Sequence, residues 1–185
     1  DGTKLVGEIR YLSMEDAMQG TDKIASTLVK ELVNGPSNST LKPTVPQGAT
    51  LRSPVKVEGR TATVDMTKEF VDNHPGGKEA EEMTIFSIVN TLTELKDVET
   101  VKFQVNGKTQ KEFKGNFRFD QEFPRNEALI DRKQSFSVIP QEQVPELEQA
   151  GVDESVETDD ASGQSTDSVT EEVSTDENSD EEILE

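Results

Sequence analysis

The sequence predicts an α+β fold: a small mixed or antiparallel sheet with two helices packed on one face, followed by a disordered acidic tail. Three observations carry this. Several short stretches alternate apolar and polar residues with a period of two. Two longer stretches repeat their apolar residues at helical spacing instead. Beyond residue 140 all periodicity stops, and Lys, Arg and aromatic residues disappear.

Charge sets the domain organisation. The 185 residues include 19 Lys plus Arg and 38 Asp plus Glu, a formal net charge of −19. Residues 141–185 hold 17 of the acids, which leaves 21 acids and 19 bases in residues 1–140. The first 140 residues therefore read as one nearly neutral domain that is long enough to bury a core. The remainder reads as a disordered tail, because it has too little apolar surface to offset the entropy of ordering. Three roles for it stay open: a self-repelling spacer, a docking arm for a basic partner, or a solubilising terminus.

The elements follow in order. Residues 4–12 alternate as a strand, with Ile9 and Tyr11 on one face and Arg10 on the other. Asp1-Gly2 reads as the turn of a hairpin whose first strand lies upstream. The first helix can be capped by Thr21 or Asp22 and carries Ile24, Leu28 and Leu32 at i, i+4 and i+8. Asn34-Gly35-Pro36 ends it, because Gly accepts the left-handed position and Pro cannot continue the ladder. Residues 36–48, rich in Ser, Asn, Pro and Gly, form a loop.

Val55 and Val57, then Ala62, Val64 and Met66, alternate as two strands joined at Glu58-Gly59. Residues 72–77 are a loop by composition. A second helix spans residues 79–95, with Ile85, Ile88, Val89, Leu92 and Leu95 as its stripe. Residues 100–105 form a strand with Val101, Phe103 and Val105 inward, and Asn106-Gly107 is the strongest short turn signal in the chain. Phe113, Phe117, Phe119 and Phe123 are spaced as though an irregular segment anchors its rings on the core.

Several function classes are excluded or disfavoured. No run approaches the ~20 apolar residues of a membrane-spanning helix. The acidic balance and the lack of a basic cluster argue against nucleic-acid binding. With no Cys there is neither a disulfide framework nor a thiolate metal site. The chain opens at Asp1, so any signal peptide or lipid anchor would lie upstream, and any membrane attachment would run through it.

Ordered motifs give a resemblance. Leu32-Val33-Asn34-Gly35-Pro36, Thr44-Val45-Pro46-Gln47-Gly48-Ala49 and residues 63–70 (TVDMTKEF) are followed by residues 87–95 (SIVNTLTEL). Val98-Glu99-Thr100-Val101 and Val105-Asn106-Gly107-Lys108 complete the series. Together, over residues 28–130, this series resembles the GerMN domain, the sporulation and spore germination domain of Gram-positive bacteria. The resemblance implies an extracytoplasmic, usually lipid-anchored protein whose topology is similar to the ring-building modules of secretion systems. It implies no catalytic residues and no cofactor. Its partners would be proteins of an envelope or spore complex, with self-association as one mode.

The residues that invite a sharper chemistry have plainer readings beside it. His74, the only histidine, could ligate a metal or act as a base, but a lone His in a Pro/Gly loop is expected to be solvent-exposed. Pro75-Gly76-Gly77-Lys78 precedes a helix without the spacing of a phosphate loop. Asp65, Glu69 and Asp72 could pair for glycan hydrolysis, yet no apolar pocket that would raise one pKa is evident around them, and surface charge is the default. Asn90 and Thr91, beside the apolar stripe, could hydrogen-bond to the sheet or to a loop. The expected interaction surface comprises Val101, Phe103 and Val105 on the last strand with Asn90 and Thr91 on the second helix. The alternatives to an assembly domain are a module that binds cell-wall polymer or a soluble ligand and, third, a wall hydrolase.

Overall fold

The computed structural model describes residues 2–137. The acidic tail expected from residue 141 lies outside the described residues. Four strands make the main sheet: β2 (Lys56–Glu58), β3 (Thr61–Met66), β4 (Thr100–Val105) and β5 (Glu122–Pro124), in the order β2-β3-β4-β5. β2 and β3 pair antiparallel through a two-residue turn, Gly59-Arg60, with φ of 55° and 69°. Positive φ at both positions matches the turn twist to the strand twist. β3 and β4 run parallel and in register from Thr61↔Thr100 to Met66↔Val105. A parallel pair needs a crossover, supplied by helix α4 (Lys78–Leu92).

The inner face of this sheet is the core. Ala62, Val64 and Met66 on β3 and Val101, Phe103 and Val105 on β4 are buried, together with Phe123 on β5. Helix α2 (Thr21–Asn34) and α4 pack on each other and close the core, bringing Ala25, Val29, Ile85, Ile88, Val89 and Leu92. α+β with two covering helices is thus the observed architecture. Residues 113–123 add the expected aromatic anchor. The Phe119 ring stacks on Phe103 at 4.9 Å, and Phe113 meets Phe70 at 5.1 Å and Phe119 at 5.0 Å. Offset and tilted pairs at such spacings add roughly 0.5–1.5 kcal/mol each beyond burial.

Local chemistry differs from expectation at three places. Neither Thr21 nor Asp22 caps α2; Gly20 occupies that position, and its carbonyl accepts from Ile24 N–H. The two side chains reach elsewhere: the Thr21 hydroxyl donates to Asp97 and the Asp22 carboxylate accepts from Val57 N–H. The deepest line on α2 is Ala25–Val29, flanked by half-buried Leu28, Leu32 and Val33, because small side chains let the helix approach the sheet. α4 ends at Leu92, three residues early, where the Thr93 hydroxyl donates back to Val89 O.

The first strand holds the largest departure. β1 (Leu5–Ile9) does not join the main sheet. It pairs in parallel with β6 (Ile130–Ser137) in a separate two-stranded sheet, with an irregular register between Val6 and Gly7. Short helices α1 (Met14–Ala17) and α3 (Glu69–Asp72) fill segments without a long enough period to be read.

Candidate functional site

Of the residues that looked chemical, His74 and Asp65 turn inward, Glu69 is half-buried and Asp72 stays exposed as expected of surface charge. His74 lies in the expected loop between α3 and α4, but the expected exposure is corrected: the residue is 3 % exposed, covered by Thr84 of α4 and by Phe113. Its Nδ1 accepts from Gly76 N–H at 2.9 Å, so the proton sits on Nε2 and is donated to Thr84 Oγ1 at 3.1 Å. The Thr84 hydroxyl in turn donates to Thr44 O at 2.6 Å. Phe113 meets the ring edge-on at 4.9 Å. Burial pushes the His74 pKa down, only partly opposed by a neighbouring backbone carbonyl and by Glu81.

Asp65 holds a corner together. Its carboxylate accepts from Arg52 Nε at 2.6 Å and from Gly107 N–H at 2.8 Å, while Arg52 N–H donates to Asp65 O. The Asn106-Gly107 turn that it caps has φ of 52° and 75° and closes on a single Val105↔Lys108 bridge rather than a full hairpin. A side chain at Gly107 would meet Arg52 Nη2 at 2.6 Å. Glu69 stands at the start of α3, where its own N–H and the Thr67 hydroxyl hold its carboxyl below the usual range. Asp65 is thus committed to Arg52 and Gly107. Among the described residues no group of three or more His, Asp or Glu is placed to hold a metal ion.

Asn90 is a clamp. Its Nδ2 donates to Asn126 O at 2.8 Å and its Oδ1 accepts from Asn126 N–H at 2.9 Å, which mimics one rung of a sheet. Arg125 donates to Asn90 O, to Thr93 Oγ1 and to Glu94. Thr91, beside it, is half-buried. The strand residues of the expected surface lie in the core: Val101 and Phe103 are fully buried and Val105 nearly so. β4 is an interior strand, and alternation turns these three toward the helices. Its outward row is Thr100, Lys102 and Gln104, all half-buried. There Thr61, Thr100 and Glu122 hydrogen-bond to one another.

Two buried or half-buried carboxylates escaped sequence reading. Glu81, fully buried on α4, accepts from Asn116 N–H at 3.2 Å and from Asn116 Nδ2 at 2.6 Å, and so hangs the aromatic segment on the helix. The available signal was an acid in line with Ile85, Ile88 and Leu92 on the apolar stripe. Glu8 on β1 accepts from Asn38 N–H, Ser37 N–H and Arg10. Burial pushes its carboxyl up, but those donors outweigh it and hold it below the usual range.

Two features remain on the outside. A shallow cleft of about 460 Å³ opens between the start of α2, the β2–β3 turn and the loop before β4, lined by Thr21, Asp22, Val57, Arg60, Lys96 and Asp97. Residues 9–18 expose four large apolar side chains: Ile9, Tyr11, Met14 and Met18 are 52, 64, 77 and 81 % accessible. Among the described residues, no helix is long and apolar enough to cross a membrane.

The class that the fold defines is a two-layer α+β domain whose conspicuous polar groups serve its own loops. The particular family follows from the sequence match: residues 1–111 fit the Germane family model, described as sporulation and spore germination, and the chain belongs to that family. No curated protein matches. Among solved structures, a candidate lipoprotein from Clostridium perfringens aligns at a TM-score of 0.53 and 23 % identity, over 57 % of this chain and 69 % of that one. At that identity the likeness extends to fold alone. The tandem GerMN domains of the sporulation protein GerM from Bacillus subtilis align at 0.46 and 21 % identity, over 68 % of this chain and 41 % of theirs. The first GerMN domain of GerM aligns at 0.44 and 23 % identity, over 68 % of this chain and 86 % of that chain.

Proposed function

We propose that this sporulation- and germination-family domain is a non-enzymatic, extracytoplasmic assembly module that works through protein–protein contact in an envelope or spore-associated complex. The observation that carries the reading is the exposed group Ile9, Tyr11, Met14 and Met18. Exposed large apolar residues gathered in one segment mark contact surfaces, and methionines adapt to varied partners. Met14 and Met18, four residues apart on α1 and its cap, share one side of that short helix. The internal use of His74, Asp65, Glu81 and Asn90 supports the same reading, because each of the four is engaged in maintaining shape. The outward row Thr100, Lys102 and Gln104 is the second contact face, in place of Val101, Phe103 and Val105.

Light-scattering mass of the full chain across concentration tests this. The expected result is a mass that rises with concentration and returns to the monomer value in Met14→Glu/Met18→Glu. A monomer at every concentration would end the self-association form of the proposal. The cleft, lined by Arg60 and Lys96 and by Asp22 and Asp97, favours a second reading, binding of a polar wall polymer. Co-sedimentation with purified cell wall, lost on Arg60→Ala, is its expected signature.

A further inference from the structure

We propose that His74 is an acid-sensitive latch: the neutral ring ties the 42–48 loop, the 74–77 turn and α4 together, and protonation opens the turn that leads into α4. The argument starts from hydrogen-bond polarity. The ring accepts at Nδ1 from Gly76 N–H, 2.9 Å away, and donates at Nε2 to Thr84, which passes the chain of donors on to Thr44 O. Only one neutral tautomer fits this order. A second proton has a single place to go, Nδ1, where it would face the Gly76 N–H: two donors at hydrogen-bond distance with no acceptor between them.

Water cannot relieve the conflict in place, since the residue is 3 % exposed. The ring must therefore swing out, which gives up the edge contact with Phe113 and the tie through Thr84 to Thr44. The segment that would move is built to bend. Gly76 and Gly77 both have positive φ, at 80° and 95°, and Gly77 caps α4 without any side-chain hydrogen bond. The charged groups that face the ring are Glu81 from α4, which favours the cation, and Lys114 from the aromatic segment, which opposes it. Glu81 is itself occupied by Asn116, and Lys114 donates to Val71 O and Asp72 O, so Lys114 bridges the aromatic segment to the end of α3. The other groups at the ring are uncharged: the Ala80 carbonyl, which also favours the cation, with Thr84, Gly76 and Phe113.

The sign is definite. In the open form the ring titrates near its ordinary value of about 6.5, and in the closed form lower, because burial opposes the charge. Between those two values the open form binds more protons, so its population rises by up to tenfold for each unit of falling pH. Above about 6.5 the latch stays shut.

The experiment is nuclear magnetic resonance of the 15N-labelled full chain from pH 8 to 5. The expected results are three: a His74 midpoint below that of a free histidine, a neutral ring carrying its proton on Nε2, and Gly76 amide protection that falls by up to tenfold per unit while staying below that of Phe103. His74→Asn keeps an acceptor for Gly76 N–H and cannot titrate in this range, so its Gly76 protection should be flat with pH. A proton found on Nδ1, a midpoint at or above the free value, or protection of Gly76 equal to that of Phe103 throughout would overturn the latch. These readouts come from the unmodified protein and stand even where His74→Asn does not fold.

Discussion

Replacing Asn90 tests how much of the fold hangs on one side chain. Asn90→Ala removes both hydrogen bonds to Asn126, at 2.8 and 2.9 Å, and leaves a half-buried N–H and C=O without their partners. Each bond contributes a net ~1 kcal/mol, and a buried group left unpaired costs about 1–3 kcal/mol. Asn126 is only half-buried, so water recovers part of the second cost. The expected loss is about 2–3 kcal/mol. For a domain of this size that lowers Tm by roughly 6–10 °C. Asn90→Asp sharpens the test. It keeps the acceptor for Asn126 N–H but sets a carboxylate oxygen against Asn126 O, so at pH 7 it should be at least as damaging as alanine. Below about pH 4 the protonated acid can donate to that carbonyl again, and the gap to wild type at the same pH should narrow. Thermal unfolding followed by circular dichroism at pH 7 and pH 4 reads both effects. An alanine variant within 0.5 kcal/mol of wild type, or an aspartate variant as stable as wild type at pH 7, would show that the clamp contributes little and that the reasoning is wrong.

Two further outcomes follow from the buried carboxylates. Glu81→Gln should cost less than about 1 kcal/mol, because the amide can accept from Asn116 N–H and donate to a flipped Asn116 side chain; Glu81→Ala should cost about 3 kcal/mol and loosen Phe113 and Phe119. Denaturant unfolding with tight error bars separates them, and equal losses would contradict the assignment. Glu8, held below the usual range by the N–H groups of Asn38 and Ser37 and by Arg10, contributes stability that is present above its ordinary value of about 4.3 and is lost as pH falls through its folded value. Amide exchange in β1 should therefore accelerate below pH 4, beyond its intrinsic pH dependence, and Glu8→Gln should remove that extra acceleration.

What the sequence determined by itself is whatever depends on neighbours along the chain. The α2 stop at Gly35, the β3 and β4 alternation, the stripe of α4 and the left-handed Asn106-Gly107 turn are set by backbone sterics and by periods of 2 and 3.6 residues. The GerMN resemblance rests on those same local strings, which is why it held over the span where they occur. What only the tertiary structure decided involves partners far apart. β1 pairs with a strand some 125 residues later, a choice no local pattern encodes. His74 was legible as a residue but not as a buried one, since its cover comes from Thr84, Phe113 and the Thr44 segment. Val101, Phe103 and Val105 read correctly as inward, yet that direction removes them from any surface, and only the place of β4 inside the sheet makes this plain. Glu81 and Asn90 sit on a helix face whose apolar neighbours announce burial, while the groups that make burial tolerable, Asn116 and Asn126, lie 35 and 36 residues onward. Burial of a polar group is decided by whether a partner arrives in space, and that is a property of the fold rather than of the string.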